Sequence, residues 1–401
     1  MKVLIIGAGP SGLMCAHQAS LKGHEVTIIE KNEKAGKKIY ITGKGRCNIT
    51  NDCNEVDFIK NVVSNPKFMY SAINAFSCSD TIEFFESRKV PLVVERGNRV
   101  FPKSYHASDI TKALLDACKN VDIHLNEVVK HISKDDDNFI VVTNKGEYIV
   151  DKVVIATGGV SYPTTGSTGD GYSFAEAFGH TIIDPVAGLN GLIVKEKIPA
   201  ALKDFTLKNV SLIAKYGKKT IEEFGELTFL ANGLGGPISL SISSLINRYN
   251  PKEVKLYIDL KPPLSFETLD TRIIKDIAKK PNVTYISFLR GFMPAAIIPL
   301  FLEKSRIPQD KMMHSLTVEE RKTMVATLKG LEFNFVSLDK IDRAIITAGG
   351  INVKEVNAKT LESKLVSGLY FAGEVLDVDA FTGGFNMQIA LSTGFLVGNS
   401  I

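Results

Sequence analysis

At 401 residues, with 44% hydrophobic and 23% charged residues, the chain has the make-up of a globular enzyme too long for one small core, so two or three domains are expected. A net charge of +4 without a long basic run argues against nucleic acid as the main partner. The longest apolar runs, Met1 to Ile6 and Ala295 to Leu302, are far too short to span a bilayer, which argues against a membrane partner.

Lys2 to Ile6 (KVLII) reads as a buried strand that runs into Gly7, Gly9 and Gly12 of GAGPSG and a helix starting near Ser11. Gly7 permits the tight turn, Gly9 lets a pyrophosphate approach the backbone, and Gly12 lets helix and strand pack closely. The helix N-terminus offers unpaired N–H groups and a positive dipole end to phosphates. A second strand, Glu25 to Ile29, ends at Glu30, placed to bond an adenosine ribose. A carboxylate there repels a 2′-phosphate, so the site suits FAD or NAD. Five cysteines (Cys15, Cys47, Cys53, Cys78, Cys118), odd in number and without metal-ligand spacing, fit a reduced, cytoplasmic protein with no metal.

Val128–Ile132, Phe139–Thr143 and Lys145–Val150 read as a meander, with KDDDN (134–138) as a solvated hairpin turn. Lys152 to Ala156 follows as a buried strand leading into TGG, where Gly158 lies near the expected cofactor. After about Pro185, β-rich runs such as Val210–Tyr216 and Val254–Ile258 predict a small barrel or sandwich, and from about Ser265 the pattern turns helical. Thr317 and Glu320 have the spacing of a capping box. The tail from Arg343 is too small to fold alone and is expected to complete the first domain. The expected organisation is a Rossmann-type α/β FAD domain of the two-dinucleotide-binding type (1–187 and 343–401), with an inserted β-barrel-like subdomain (188–262) and an inserted helical subdomain (263–342).

In that tail, GLYFAGEVLD (368–377) is a strand ending in Gly373-Glu374, and TGGFNMQ (382–388) opens the last helix. Gly373 lets a ribityl chain lie against backbone, and Glu374 or Asp377 can bond its hydroxyls. The helix start near Asn386 can face the pyrimidine edge of a flavin and stabilise its anionic reduced form.

The strings GKKIYITGKGRCNITN (36–51), ATGGVSYPTTGSTGDGY (156–172) and GLYFAGEVLDVDAFTGGFN (368–386) resemble the HI0933-like flavoproteins, over essentially the whole chain. That family includes aminoacetone oxidase-like enzymes and dehydro-bile-acid reductases of the BaiN type. The resemblance implies FAD contacts at Pro10, Ser11, Glu30, Lys31, Gly36, Lys37, Thr42, Asn48, Val129 (by its backbone), Glu374, Asp377 and Asn386. Two departures stand out: Lys44 where a glycine is usual, a cation near the flavin or a solvent-facing one, and Ala231 where a histidine is usual. No mechanism that relies on that histidine transfers.

Arg46, wedged between Gly45 and Cys47, is expected as a charged group over the flavin or the substrate in preference to a structural salt bridge. Tyr162 orients a substrate carbonyl, donates a proton, or packs. Arg99 either anchors an anion or faces solvent. No second nucleotide-binding unit is present, so NADH or NADPH, where used, docks transiently. The expected function is FAD-dependent redox chemistry on a small or medium organic molecule, with an NAD(P)H-dependent reductase of a conjugated C=C or C=O bond preferred. An amine oxidase of the aminoacetone type using oxygen is the alternative, and a flavin-binding RNA-modifying or sensor protein is the reading from a different class.

Overall fold

The computed structural model describes every residue from Met1 to Ile401 except the side chain of Lys44, so the expectation for that cation lies outside the described residues. The chain divides into two compact units: Met1–Gly188 with Lys340–Ile401, and Leu189–Asp339.

The first unit is built on a five-stranded parallel sheet in the order Leu369–Phe371, Lys152–Ile155, Lys2–Ile6, Glu25–Ile29, Asp122–His124. The three strands on one side of it, LYF, KVVI and KVLII, are almost wholly buried, as a parallel sheet covered on both faces requires. The edge strand Asp122–His124 has only three residues, none of them buried, and no periodicity announces it. The meander forms as Val129–Asp135, Asn138–Thr143 and Glu147–Val150, with Asp136 left-handed (φ 49°) at the turn. Thr50–Asn51, Arg99–Pro102 and Leu92–Glu95 form a small antiparallel sheet.

Two helices define this unit. Pro10–Leu21 follows the first strand, with Pro10 pre-set for the first helical turn. The last helix, Phe385–Ser400, is apolar nearly all round and largely buried, the mark of a helix enclosed by its own domain. It crosses the first helix at backbone contact: a Cβ on Gly394 would stand 2.2 Å from the Ser11 carbonyl oxygen, and one on Gly398 2.4 Å from that of Cys15.

The second unit holds a closed six-stranded barrel, in the order Leu192–Val194, Gly233–Gly235, Lys219–Leu230, Thr206–Tyr216, Val254–Asp259, Leu331–Leu338. The helices Phe266–Lys279, Tyr285–Leu289, Ile298–Ser305 and Val318–Lys329 fall between its fifth and sixth strands. This corrects the expected separate helical subdomain over 263–342. Leu331, Phe333 and Phe335 alternate inward and close the barrel, sharing one core with Met324, Val325 and Leu328 of the last of those helices. The capping box forms as expected, Glu320 N donating to Thr317 Oγ1 and Thr317 N to Glu320 Oε2. Ala231 lies exposed in the turn after Leu230.

No helix is long and apolar enough to cross a membrane. Gly394→Ala is expected to cost about 1–3 kcal/mol, because the added methyl meets backbone that cannot rotate away. The measurement is the urea midpoint of the full chain; an unchanged midpoint would mean the two helices part freely.

Candidate functional site

The glycine fingerprint separates into packing and open positions. A Cβ at Gly7 (φ 108°) would stand 2.5 Å from the Ala156 carbonyl oxygen, and one at Gly12 2.0 Å from that of Gly7. At Gly9 an added Cβ meets nothing within 4 Å, so the space beside it is open. No side chain caps the helix that begins at Pro10, and its ladder starts only where Leu13 N donates to Gly9 O. Open space, uncapped donors and a positive dipole end form a cradle for a diphosphate. Ser11 is buried at its floor.

Glu30, at the end of the second strand, accepts from Ala8 N through Oε2 (2.9 Å) and from Asn32 N and Nδ2 through Oε1 (2.8 and 2.7 Å). Oε2 holds a single donor and keeps a lone pair for a ribose hydroxyl. The Glu30 carbonyl accepts from Glu127 N, two residues before Val129, which places the start of the meander beside this acid.

The Lys31 ammonium is bound to Asp170 (2.7 Å) and Thr168. It staples the Gly166–Gly171 loop to the ribose acid, which leaves only its backbone for an adenosine. Lys37 is likewise taken, by Glu33 one turn away (3.1 Å). Gly36 (φ 68°) donates its N–H to Ala8 O, drawing the loop onto the fingerprint.

The three family strings meet at Glu374. Its Oε1 accepts from Thr347 N (2.8 Å) and Ser161 Oγ (3.1 Å), and its Oε2 from Lys38 Nζ (2.9 Å), which also reaches Ser161 (3.0 Å). Burial would push this carboxyl up, but the Lys38 charge, the Thr347 N–H and the Ser161 hydroxyl outweigh it and hold it below the usual range. Gly158 (φ 74°) and Gly159 leave room for this network: a Cβ on Gly159 would stand 2.3 Å from Thr347 Oγ1. Gly373 (φ 80°) lies directly on Ser11, 2.6 Å from Cβ to Oγ. Sequence reasoning chose Lys37 and missed Lys38, Ser161 and Thr347. In a run of two lysines the residue type does not say which one faces inward.

On the other side, Gly384 (φ 101°) starts the last helix, and a Cβ there would stand 2.2 Å from Thr50 O. Buried Gln388 accepts from Thr50 Oγ1 (2.6 Å) and donates to Phe76 and Ser77 carbonyls, while Asn51 Nδ2 donates to Gly383 O (3.0 Å). These bonds tie the RCNITN segment to the helix start, which again has no side-chain cap and no acid in its first turn. Asn48 Oδ1 is buried nearby in sequence with no hydrogen-bond partner among the described residues. An orphaned acceptor in such a loop calls for a donor, and a bound flavin carries N–H and hydroxyl groups.

At other expected contacts the side chains are engaged within the protein. The Asn386 side chain donates to Ala380 O (2.7 Å) and accepts from Ala380 N (2.9 Å), so it fixes the preceding loop and only its backbone can face a cofactor. Asp377 is engaged by Asn65 Nδ2 (2.9 Å), and the Thr42 hydroxyl donates to Ile39 O (2.7 Å). Arg46 was expected over the flavin. Its guanidinium donates to Glu95 (3.0 Å) and lies 4.5 Å from the Phe101 ring centre, the partners of an ion pair within the small antiparallel sheet. Arg99 joins the same carboxylate at 3.5 Å. Cys47, left-handed at φ 56°, is buried and its thiol is pushed up to about 12, which fits packing and not redox chemistry. Tyr162 is also left-handed (φ 50°), half-buried, directly after Ser161 of the Glu374 network. Non-glycine residues held there collect at functional sites.

These features fit FAD: a diphosphate cradle, a ribose acid with a spare lone pair, an orphaned loop acceptor and an uncapped helix start. The model of the HI0933-like protein Rossmann domain matches residues 1–400. The 3-dehydro-bile acid delta(4,6)-reductase of Clostridium scindens is 31% identical over all of this chain and 98% of its own length. The ribosomal RNA dihydrouridine synthase of Haemophilus influenzae is 32% identical over 99% and 98%, and that of Escherichia coli 30% over 98% and 96%. In fold, the chain is similar to a 3-ketosteroid-Δ4-(5α)-dehydrogenase from Rhodococcus jostii solved with 4-androstene-3,17-dione (TM-score 0.50, 13% identity, 99% of this chain and 95% of that one). The chain is an FAD-dependent oxidoreductase and belongs to the HI0933-like family of Rossmann flavoproteins.

Proposed function

We propose that the protein reduces a C=C bond conjugated to a carbonyl, drawing electrons from NADH or NADPH through FAD. The observation that carries this reading is the chemistry common to the full-length relatives. A delta(4,6)-reductase of a 3-dehydro bile acid and a dihydrouridine synthase both saturate a ring C=C that a carbonyl makes electron-poor. When bound, the flavin supplies the two-electron shuttle, accepting a hydride equivalent from the nicotinamide and giving it to the β-carbon of the alkene while a proton completes the α-carbon.

The chain's own residues do the rest. The fingerprint backbone and helix start hold the diphosphate, and Glu30 holds the ribose. Lys38 and Glu374 lock the loops that carry Gly158 and Gly373, fixing the ribityl path. The uncapped start of the last helix favours negative charge on the pyrimidine edge. Tyr162 is the proposed proton donor to the α-carbon. Its backbone is pinned by its N–H to Asp342 O and its carbonyl from Thr165 Oγ1, and no partner holds its hydroxyl among the described residues.

Anaerobic mixing with NADH and with NADPH is expected to bleach the flavin with at least one of them, and an enone is expected to restore its colour. Failure of both nucleotides, with peroxide released from an amine in air, would replace this reading with the oxidase. Tyr162→Phe is expected to leave the bleaching rate intact and slow recolouring by the enone about 10²–10⁴-fold. Equal loss in both half-reactions would assign Tyr162 to packing.

Lys38→Met leaves the Glu374 carboxylate half-buried without its cation, at a cost of about 1–3 kcal/mol at neutral pH. In the native protein this carboxyl's folded pKa is depressed, so its contribution is present above the ordinary carboxylate range and lost as pH falls through the folded value. The gap in melting temperature between variant and native protein is therefore expected to be largest near pH 7 and to shrink toward pH 4. A gap independent of pH would show that the Lys38–Glu374 charges are not coupled.

A further inference from the structure

The two units differ in charge. Leu189–Asp339 carries 22 Lys and Arg against 16 Asp and Glu, whereas the remainder carries 26 against 28. The overall value of +4 hides this division. Part of the second unit's positive charge is neutralised locally: Arg321 by Asp270 (2.7 Å), Lys311 by Glu320 (2.6 Å), Lys304 by Glu196 (2.9 Å). One place differs. At the turn between Thr206–Tyr216 and Lys219–Leu230, the exposed Lys215, Lys218, Lys219 and the neighbouring Lys252 have no ion-pair partner among the described residues. Lys215 stands directly across the ladder from Lys255, a like-charge pair that disfavours the fold on its own.

The same turn carries aromatic rings. Tyr216 and Tyr249 stack with centroids 4.4 Å apart and planes 24° from parallel. Lys219 lies 5.6 Å from the Tyr249 ring centre and Lys215 5.0 Å from that of Tyr257. All three rings are half-buried and so present a rim to solvent. We infer that this end of the barrel binds single-stranded RNA, with the lysines on phosphates and the Tyr216–Tyr249 stack extended by a base. Unpaired cations interleaved with aromatic faces are what a flexible polynucleotide needs. A membrane or protein partner fits less well, because no exposed large apolar side chain lies at the turn to insert or anchor. The inference rests on the reductase reading for its purpose: the 5,6 bond of a pyrimidine base is a C=C conjugated to a carbonyl, and the RNA is the substrate's carrier.

The test is fluorescence anisotropy of a labelled uridine-rich RNA 20-mer with the FAD-loaded full chain, from 50 to 300 mM NaCl. Native protein is expected to bind with affinity falling steeply with salt. Lys218→Ala with Lys219→Ala is expected to weaken binding at least tenfold at low salt and to lower the log–log salt slope by about 1.4, at about 0.7 per phosphate contact on a single strand. Tyr249→Leu is expected to weaken binding without changing the slope. Flavin absorbance and melting temperature report that each variant is folded. No salt-dependent binding by the native protein, or equal binding by the lysine variant, overturns the inference. So does binding to phosphatidylglycerol vesicles without binding to RNA. An enone that recolours the reduced flavin in a protein that ignores RNA leaves the reductase reading standing and removes this surface; RNA binding without any enone turnover does the reverse.

Discussion

Gly394 and Gly398 let the last helix lie with its backbone against the Ser11 and Cys15 carbonyls, and the rest of the cofactor end depends on that contact. The chain's two ends form one domain only because these helices touch at a distance no side chain permits. The contact sets the position of Gly373 on Ser11 and, through Thr393 Oγ1 to Gly373 N (2.9 Å), the height of the AGE loop over the fingerprint. A helix apolar on all sides has no face to specify its rotation. Here the rotation is set by the glycines on one side and by Gln388, buried between Thr50 and the Phe76 and Ser77 carbonyls, on another.

Glu374 does for the loops what the glycines do for the helices. Three segments distant in sequence, ending at Lys38, Ser161 and Thr347, give it their donors. Removing any one donor leaves a half-buried acceptor, so the loops are coupled: each is fixed because the other two are. Such a network is strong when every member is satisfied and costly when one is missing. A cofactor lying against these loops meets a surface already arranged for it.

The sequence spoke clearly where one residue type has one physical use. The glycines at 7, 9, 12 and 373 were legible because a Cβ has nowhere to go, or must stay away, at each, and the acid at 30 because it ends the strand beside the fingerprint. It was silent where a residue type has several uses. Arg46 in a glycine loop looked like a cofactor contact, yet Glu95 and Phe101, far along the chain, claim it. Lys31, Lys37 and Asn386 have the right types at the right places, and their side chains serve neighbouring loops. The final barrel strand was absorbed into the helical region because Leu331–Leu338 follows a helix after a single glycine, and its strand partners, Val254–Asp259 and Leu192–Val194, lie far back in the chain.

The pairing of the first unit's cations has a consequence for how it holds an anion. Lys31, Lys37 and Lys38 all lie in the loops nearest the fingerprint, and each is bound to a carboxylate. A diphosphate at the fingerprint would therefore be met by backbone N–H groups and a helix dipole at short range. Such contacts are screened far less by salt than exposed lysines are. The second unit is built the opposite way, with unpaired lysines on an exposed turn. The protein thus separates two kinds of anion recognition. One is buried, permanent and insensitive to ionic strength, as a resident cofactor needs. The other, inferred for the exposed lysine turn, would be reversible and salt-dependent, as a substrate that must leave after each turnover needs.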